Sequence, residues 1–122
     1  MRILGIDPGS LNTGYGVVES DGSGLKVIAS GCIKNKGKDK LGERYYQIYS
    51  GLKDIIKKIN PKTVSFEKII YCNNTTIAIK LGEARGAAIV AAAEQHIPIA
   101  EYAPKKIKQA VTGYGGASKI QV

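Results

Sequence analysis

The 122-residue chain has no tryptophan, one phenylalanine, one histidine and two cysteines. Cys32 and Cys72 are far apart and form no CxxC pair. With His96 they make no ligand set of the usual zinc spacing, which excludes a zinc centre. Both thiols are expected to be reduced and packed, and His96 to be a surface residue in a short connection. Long apolar runs are also missing. The longest apolar-or-glycine stretch, "GAAIVAAA" at 86–93, falls far short of a membrane span. Met1-Arg2 is followed by only four residues before Asp7, which leaves no room for a secretory signal. These absences point to a cytoplasmic protein with no membrane partner. Acidic residues are scarce as well. Ten Asp+Glu against eighteen Lys+Arg leave a net charge of +8, a balance that favours polyanionic partners. A solubilising surface would give the same count.

What is present is ordinary for one globular domain: 43% hydrophobic and 23% charged residues. "RILGID" (2–7) reads as a buried strand, and Gly9 can supply the positive φ of a tight turn after Pro8. "TGYGVVE" (13–19) and "LKVIASGCIK" (25–34) read as two further strands, joined by the turn "SDGSG", so that an antiparallel meander is expected. After a basic connection, Leu41, Tyr45, Ile48, Leu52, Ile55, Ile56 and Ile59 recur at helical intervals. Asn60-Pro61 ends that helix. "TVSFEKII" (63–70) reads as a strand. Asn73-Asn74 can cap a helix over 75–94, and "PIAEYA" (98–103) reads as a last strand before a short helix, "KKIKQAV". The order βββαβαβα implies a mixed α/β sheet.

Seven of the ten acidic residues fall where charge is commonplace, at a hairpin tip, in or beside the basic connection, or on helices, and Glu101, near a strand end, is ambiguous. Asp7 and Glu67 differ, because each interrupts an apolar strand expected to be central. A buried carboxylate is costly without compensation, and two close together repel unless a divalent cation lies between them. Oxygen-only ligation suits Mg2+ or Mn2+, and such a metal on a basic surface suggests phosphodiester hydrolysis. The residues alone equally allow Asp7 to cap its turn and Glu67 to pair with a lysine. "GYG" (14–16) and "GYGG" (113–116) are not Walker A loops and read as turn or close-packing glycines. Lys105, Lys106, Lys108 and Lys119 form a candidate basic patch.

Five stretches, "GIDPGSLNTGYGV", "FEKIIYCNN", "IKLGEARGAAIVAA", "EYAPKKIKQAVTGYG" and "ASKIQV", occur in this order and cover most of the chain. Together they resemble the RuvC family of Holliday-junction resolvases. The resemblance implies a ribonuclease-H-like fold: a mixed five-stranded sheet with helices on both faces, in one domain spanning 1–122. It implies a homodimer that nicks four-way junction DNA symmetrically during recombination and repair, with Mg2+ (or Mn2+) as cofactor and a branch-migration helicase as a further partner. Asp7 and Glu67 match the first and second catalytic, metal-binding carboxylates. Lys108 and Lys119 match DNA-binding positions.

Two departures stand out. Where the family usually has a phenylalanine that acts on junction bases, this chain has Ile70, with Tyr71 beside it as an alternative stacking group; an apolar wedge can still intrude between bases. The family also continues into a final helix whose acidic residues complete the metal site. Here the sequence reaches Val122 first, so the domain is expected to lack that helix and half of its carboxylates, with weak Mg2+ binding and impaired cleavage. A non-catalytic junction-binding module is therefore a second reading, and a nucleotide-binding domain of the actin and sugar-kinase type a third. Ala78, Gly82 and Gly86, four apart on the helix at 75–94, form a row of small residues that the resemblance places in the dimer interface. The apolar half of that helix is expected to be buried on more than one side.

Overall fold

The computed structural model describes residues 1–9, 11–34, 40–67 and 73–102. Leu4 and Ile6 are spaced two apart, as a strand requires if both are to face one core. They are 0% and 4% exposed and belong to β1 (Arg2–Asp7), the central strand of a five-stranded sheet of order β3-β2-β1-β4-β5. β2 (Asn12–Ser20) and β3 (Leu25–Lys34) complete the antiparallel meander. β4 (Thr63–Glu67) and β5 (Ile99–Tyr102) add parallel strands on the other side of β1. The register sets Leu4 between Val17 and Val64, and Ile6 between Tyr15 and Phe66. One face of the sheet is thus apolar across its three middle strands.

Helices α1 (Leu41–Ile59) and α2 (Thr75–Glu94) cover that face. α1 contributes Ile48, Leu52 and Ile56, all buried, at the four-residue spacing that keeps side chains on one stripe. It lies so close to β3 that a Cβ on Gly51 would stand 3.0 Å from Ile33 Cδ1. Asn60 ends it in the left-handed conformation, its N–H bonded to the Ile56 carbonyl at 2.8 Å, with Pro61 directly after. At the start of α2, Asn74 Oδ1 accepts from the Ile77 N–H at 3.1 Å, the expected cap. His96, exposed and left-handed (φ 58°), closes the C-terminus, where the His96 and Ile97 N–H groups bond back to Ala93 and Ala92.

Three expectations need amendment. α2 is buried along a single stripe, Ala84, Ala88, Ala91 and Ala92, while Ile79 and Val90 on the opposite stripe are 57% and 55% exposed. Among the described residues one neighbour, α1, and the sheet share the same side of α2, so nothing covers the other side. Cys32 is not packed: it lies exposed on β3, an edge strand with little cover. Gly9 has no positive φ. Glycine is needed there because a Cβ would stand 2.3 Å from the Asn12 carbonyl oxygen. Both described helices lie on one face of the sheet; the short helix expected after Pro104 and residues 68–70 of the strand expected over 63–70 lie outside the described residues. No helix among the described residues is long and apolar enough to cross a membrane.

Candidate active site

Side chains alternate across a strand, so the burial of Leu4, Ile6, Val64 and Phe66 on the helix side sends Ile3, Gly5 and Asp7 of β1, and Thr63, Ser65 and Glu67 of β4, to the opposite face. β1 and β4 run parallel and are paired through Ile6 and Phe66. Asp7 and Glu67 each follow by one residue. The two carboxylates therefore stand side by side on one face, at the C-terminal ends of adjacent strands about 4.8 Å apart. Asp7 is exposed and Glu67 half-buried. Gly14, the partner of Asp7 on β2, and Tyr102, the partner of Glu67 on β5, extend the row to either side.

The chain leaves this row by a tight turn. Gly9 and Thr13 bond reciprocally: the Gly9 N–H donates to Thr13 Oγ1 at 3.4 Å and the Thr13 hydroxyl donates to the Gly9 carbonyl at 3.2 Å. Thr13 is fully buried, so its hydroxyl depends on that partner. The turn directly after Asp7 is in this way tied to the next strand.

Sequence reasoning passed over one residue at the site, Arg85. It is the lone cation between Lys80 and the end of α2, at the head of the apolar run 86–93, and that isolation was the available signal. Its side chain is 11% exposed. Nη1 donates to the Glu67 carbonyl at 2.7 Å, Nη2 pairs with the Glu101 carboxylate, and the guanidinium carbon lies 5.3 Å from the centre of the Phe66 ring. Glu101, ambiguous in the sequence, is thus committed to Arg85. No ion pair among the described residues involves the Glu67 carboxylate, so the lysine partner that the sequence allowed for it is not seen there.

Ile70, Tyr71, Lys108 and Lys119 lie outside the described residues. Ala78 is half-buried, and Gly82 and Gly86 are exposed with open space where a Cβ would project. Among the described residues no three metal-ligating side chains gather. The two carboxylates nonetheless fit a hard divalent ion, because Mg2+ is commonly held by one or two carboxylates while water and substrate phosphate fill its other positions. An all-oxygen donor pair without histidine or thiol does not suit zinc.

Residues 3–122 match the family described as crossover junction endodeoxyribonuclease RuvC. A protein of that name from Pseudomonas savastanoi pv. phaseolicola is 52% identical over 120 residues, which cover 98% of this chain and 68% of the relative. One from Vibrio campbellii is 50% identical, covering 98% and 69%. Among solved structures, Thermus thermophilus RuvC in complex with a Holliday junction substrate superposes with a TM-score of 0.88 at 32% identity, over 100% of this chain and 74% of that one. The yeast mitochondrial resolvase Ydc2 shares the fold at a TM-score of 0.64 and 14% identity, over 91% and 54% of the two chains. The mixed five-stranded sheet is accordingly the ribonuclease-H-like sheet of these resolvases, and the chain belongs to the RuvC family of crossover junction endodeoxyribonucleases.

Proposed function

We propose that this protein is a cytoplasmic, structure-selective endonuclease that nicks four-way DNA junctions symmetrically, with Asp7 and Glu67 as its metal-binding carboxylates. The observation that carries the reading is the juxtaposition of the two acids on one face of the sheet, at the ends of adjacent parallel strands, in a chain of this family. Asp7 and Glu67 would hold a divalent cation, Mg2+ or Mn2+, which when bound would supply charge for activating water and for stabilising the leaving oxygen of a phosphodiester. The rest falls to the chain's own groups. β1 and β4 fix the spacing of the two acids, the Gly9–Thr13 bonds hold the turn beside Asp7, and the net charge of +8 draws the polyanion to the surface. Lys108 and Lys119 are proposed to contact backbone phosphates, and Ile70 and Tyr71 the junction bases. The exposed row Gly82–Gly86, flanked by Ile79 and Val90, supports a two-fold dimer through α2, the symmetry a four-way junction shares.

The test sets binding beside cleavage on a synthetic four-way junction, with Mg2+, with Mn2+ and with EDTA, against linear duplex competitor. Salt is held constant, because phosphate contacts make affinity steeply salt-dependent. Junction-selective binding with metal-dependent paired nicks, lost in Asp7→Asn and Glu67→Gln, is the expected result. Nicking that survives Asp7→Asn would sink the assignment. Selective binding with no nicking under either metal would make this 122-residue chain a junction-binding module, with Asp7 and Glu67 insufficient by themselves.

A further inference from the structure

We infer that Arg85 is the positioning residue that keeps Glu67 beside Asp7; the inference rests on the two-carboxylate reading above. Glu67 lies one position past the Ile6–Phe66 pair, at the end of β4. There it pairs with Tyr102 of β5, and Arg85 Nη1 donates to its carbonyl.

Arg85 is itself fixed on several sides. Its fork joins the Glu67 carbonyl to the Glu101 carboxylate, and its plane lies over Phe66, the residue preceding Glu67. A planar guanidinium can satisfy two acceptors at once in fixed geometry, which a lysine ammonium does not reproduce. Burying that charge is costly unless its hydrogen bonds are met. The neighbouring core positions of α2 are alanines, so packing alone does not call for a cation here. Arg85 approaches from the helix side of the sheet, whereas the Asp7 and Glu67 side chains point to the other face. It does not reach the reacting groups and acts on Glu67 through the backbone.

The experiment follows the carboxyl carbons of Asp7 and Glu67 by carbon-detected NMR in the full 122-residue chain, during titration with sub-stoichiometric Mn2+. In the parent both carbons broaden together. In Arg85→Met both carbons should need about tenfold more Mn2+ to broaden, the low end of what loss of an orienting partner costs in metal affinity. Arg85→Lys should fall between the two. Glu101→Gln, which frees the second arm of the fork, should act in the same direction by less. Should Arg85→Met fail to fold, as judged by its amide spectrum, Arg85→Lys and Glu101→Gln carry the same test. A purely structural role would lower thermal stability and leave the Mn2+ concentration for broadening at its parent value, and that result overturns the inference alone. Absence of broadening at both carbons in the parent overturns the metal-site reading and the inference with it.

Discussion

Gly9→Ala tests whether the turn beside Asp7 is built on the absence of a side chain. The added methyl would stand 2.3 Å from the Asn12 carbonyl oxygen, a backbone atom that cannot swing aside as a side chain would. The turn has to open, and the reciprocal Gly9–Thr13 bonds, already long at 3.4 and 3.2 Å, are the first to break. Thr13 is 0% exposed, so its hydroxyl would be left without a partner; that costs about 1–3 kcal/mol. Replacing glycine also restricts the unfolded chain, which returns about 0.4–1 kcal/mol. The net expectation is a loss of roughly 1–2 kcal/mol. Urea unfolding should show it as a lower midpoint at unchanged slope. Gly16→Ala is the control, because a Cβ there meets nothing and φ is not positive; it should be neutral or slightly stabilising. Thr13→Val removes the same bonds, so the double variant with Gly9→Ala should lose less than the sum of the singles. A Gly9→Ala midpoint equal to that of the parent would refute the steric argument.

Asp7 is exposed, so Asp7→Asn should leave stability within about 0.5 kcal/mol of parent while abolishing metal-dependent nicking, read by urea unfolding and the junction assay side by side. Ala88 is fully buried where α2 meets α1 and the sheet, and Ala88→Leu should cost about 1–3 kcal/mol by overpacking. Val90→Leu, on the exposed stripe, should change little, and equal effects at the two positions would contradict the one-sided burial of α2. The Tyr49 hydroxyl, which donates to it, and Lys53, 3.3 Å away, hold the Glu94 carboxyl below its ordinary value of 4.5. A depressed carboxyl stabilises the fold above its unfolded value and loses that contribution as pH falls through the folded one. Thermal midpoints of parent and Glu94→Gln should therefore differ at neutral pH and converge below pH 4.5; a gap that stays constant on acidification would remove the Tyr49–Glu94–Lys53 cluster as its cause.

Much of this protein is determined by sequence alone, wherever a pattern has a period. The two-residue alternation of Leu4 and Ile6, and of Val64 and Phe66, defines strands whose opposite face must hold Asp7 and Glu67. The four-residue spacing of Ile48, Leu52 and Ile56 defines α1, and Asn60-Pro61 and Asn74 mark helix ends by local chemistry. α2 is different. Its residues 86–93 are small or apolar on every side, so periodicity there holds no information on which stripe is buried. Only contact with α1 and the sheet selects Ala84, Ala88, Ala91 and Ala92. Cys32 lies in phase with Ser30 and Lys34, and its register through Gly14 to Asp7 sets it on the face the described helices leave uncovered; that register is a tertiary property. Gly9 announced a turn, whereas the reason for glycine, a carbonyl 2.3 Å from where Cβ would be, exists only once the loop has closed. Arg85 marks the same limit at the site. Its link to Glu67 spans eighteen residues of chain, and only the packing of α2 on the sheet brings a helix-borne guanidinium to the end of the strand that carries the second acid.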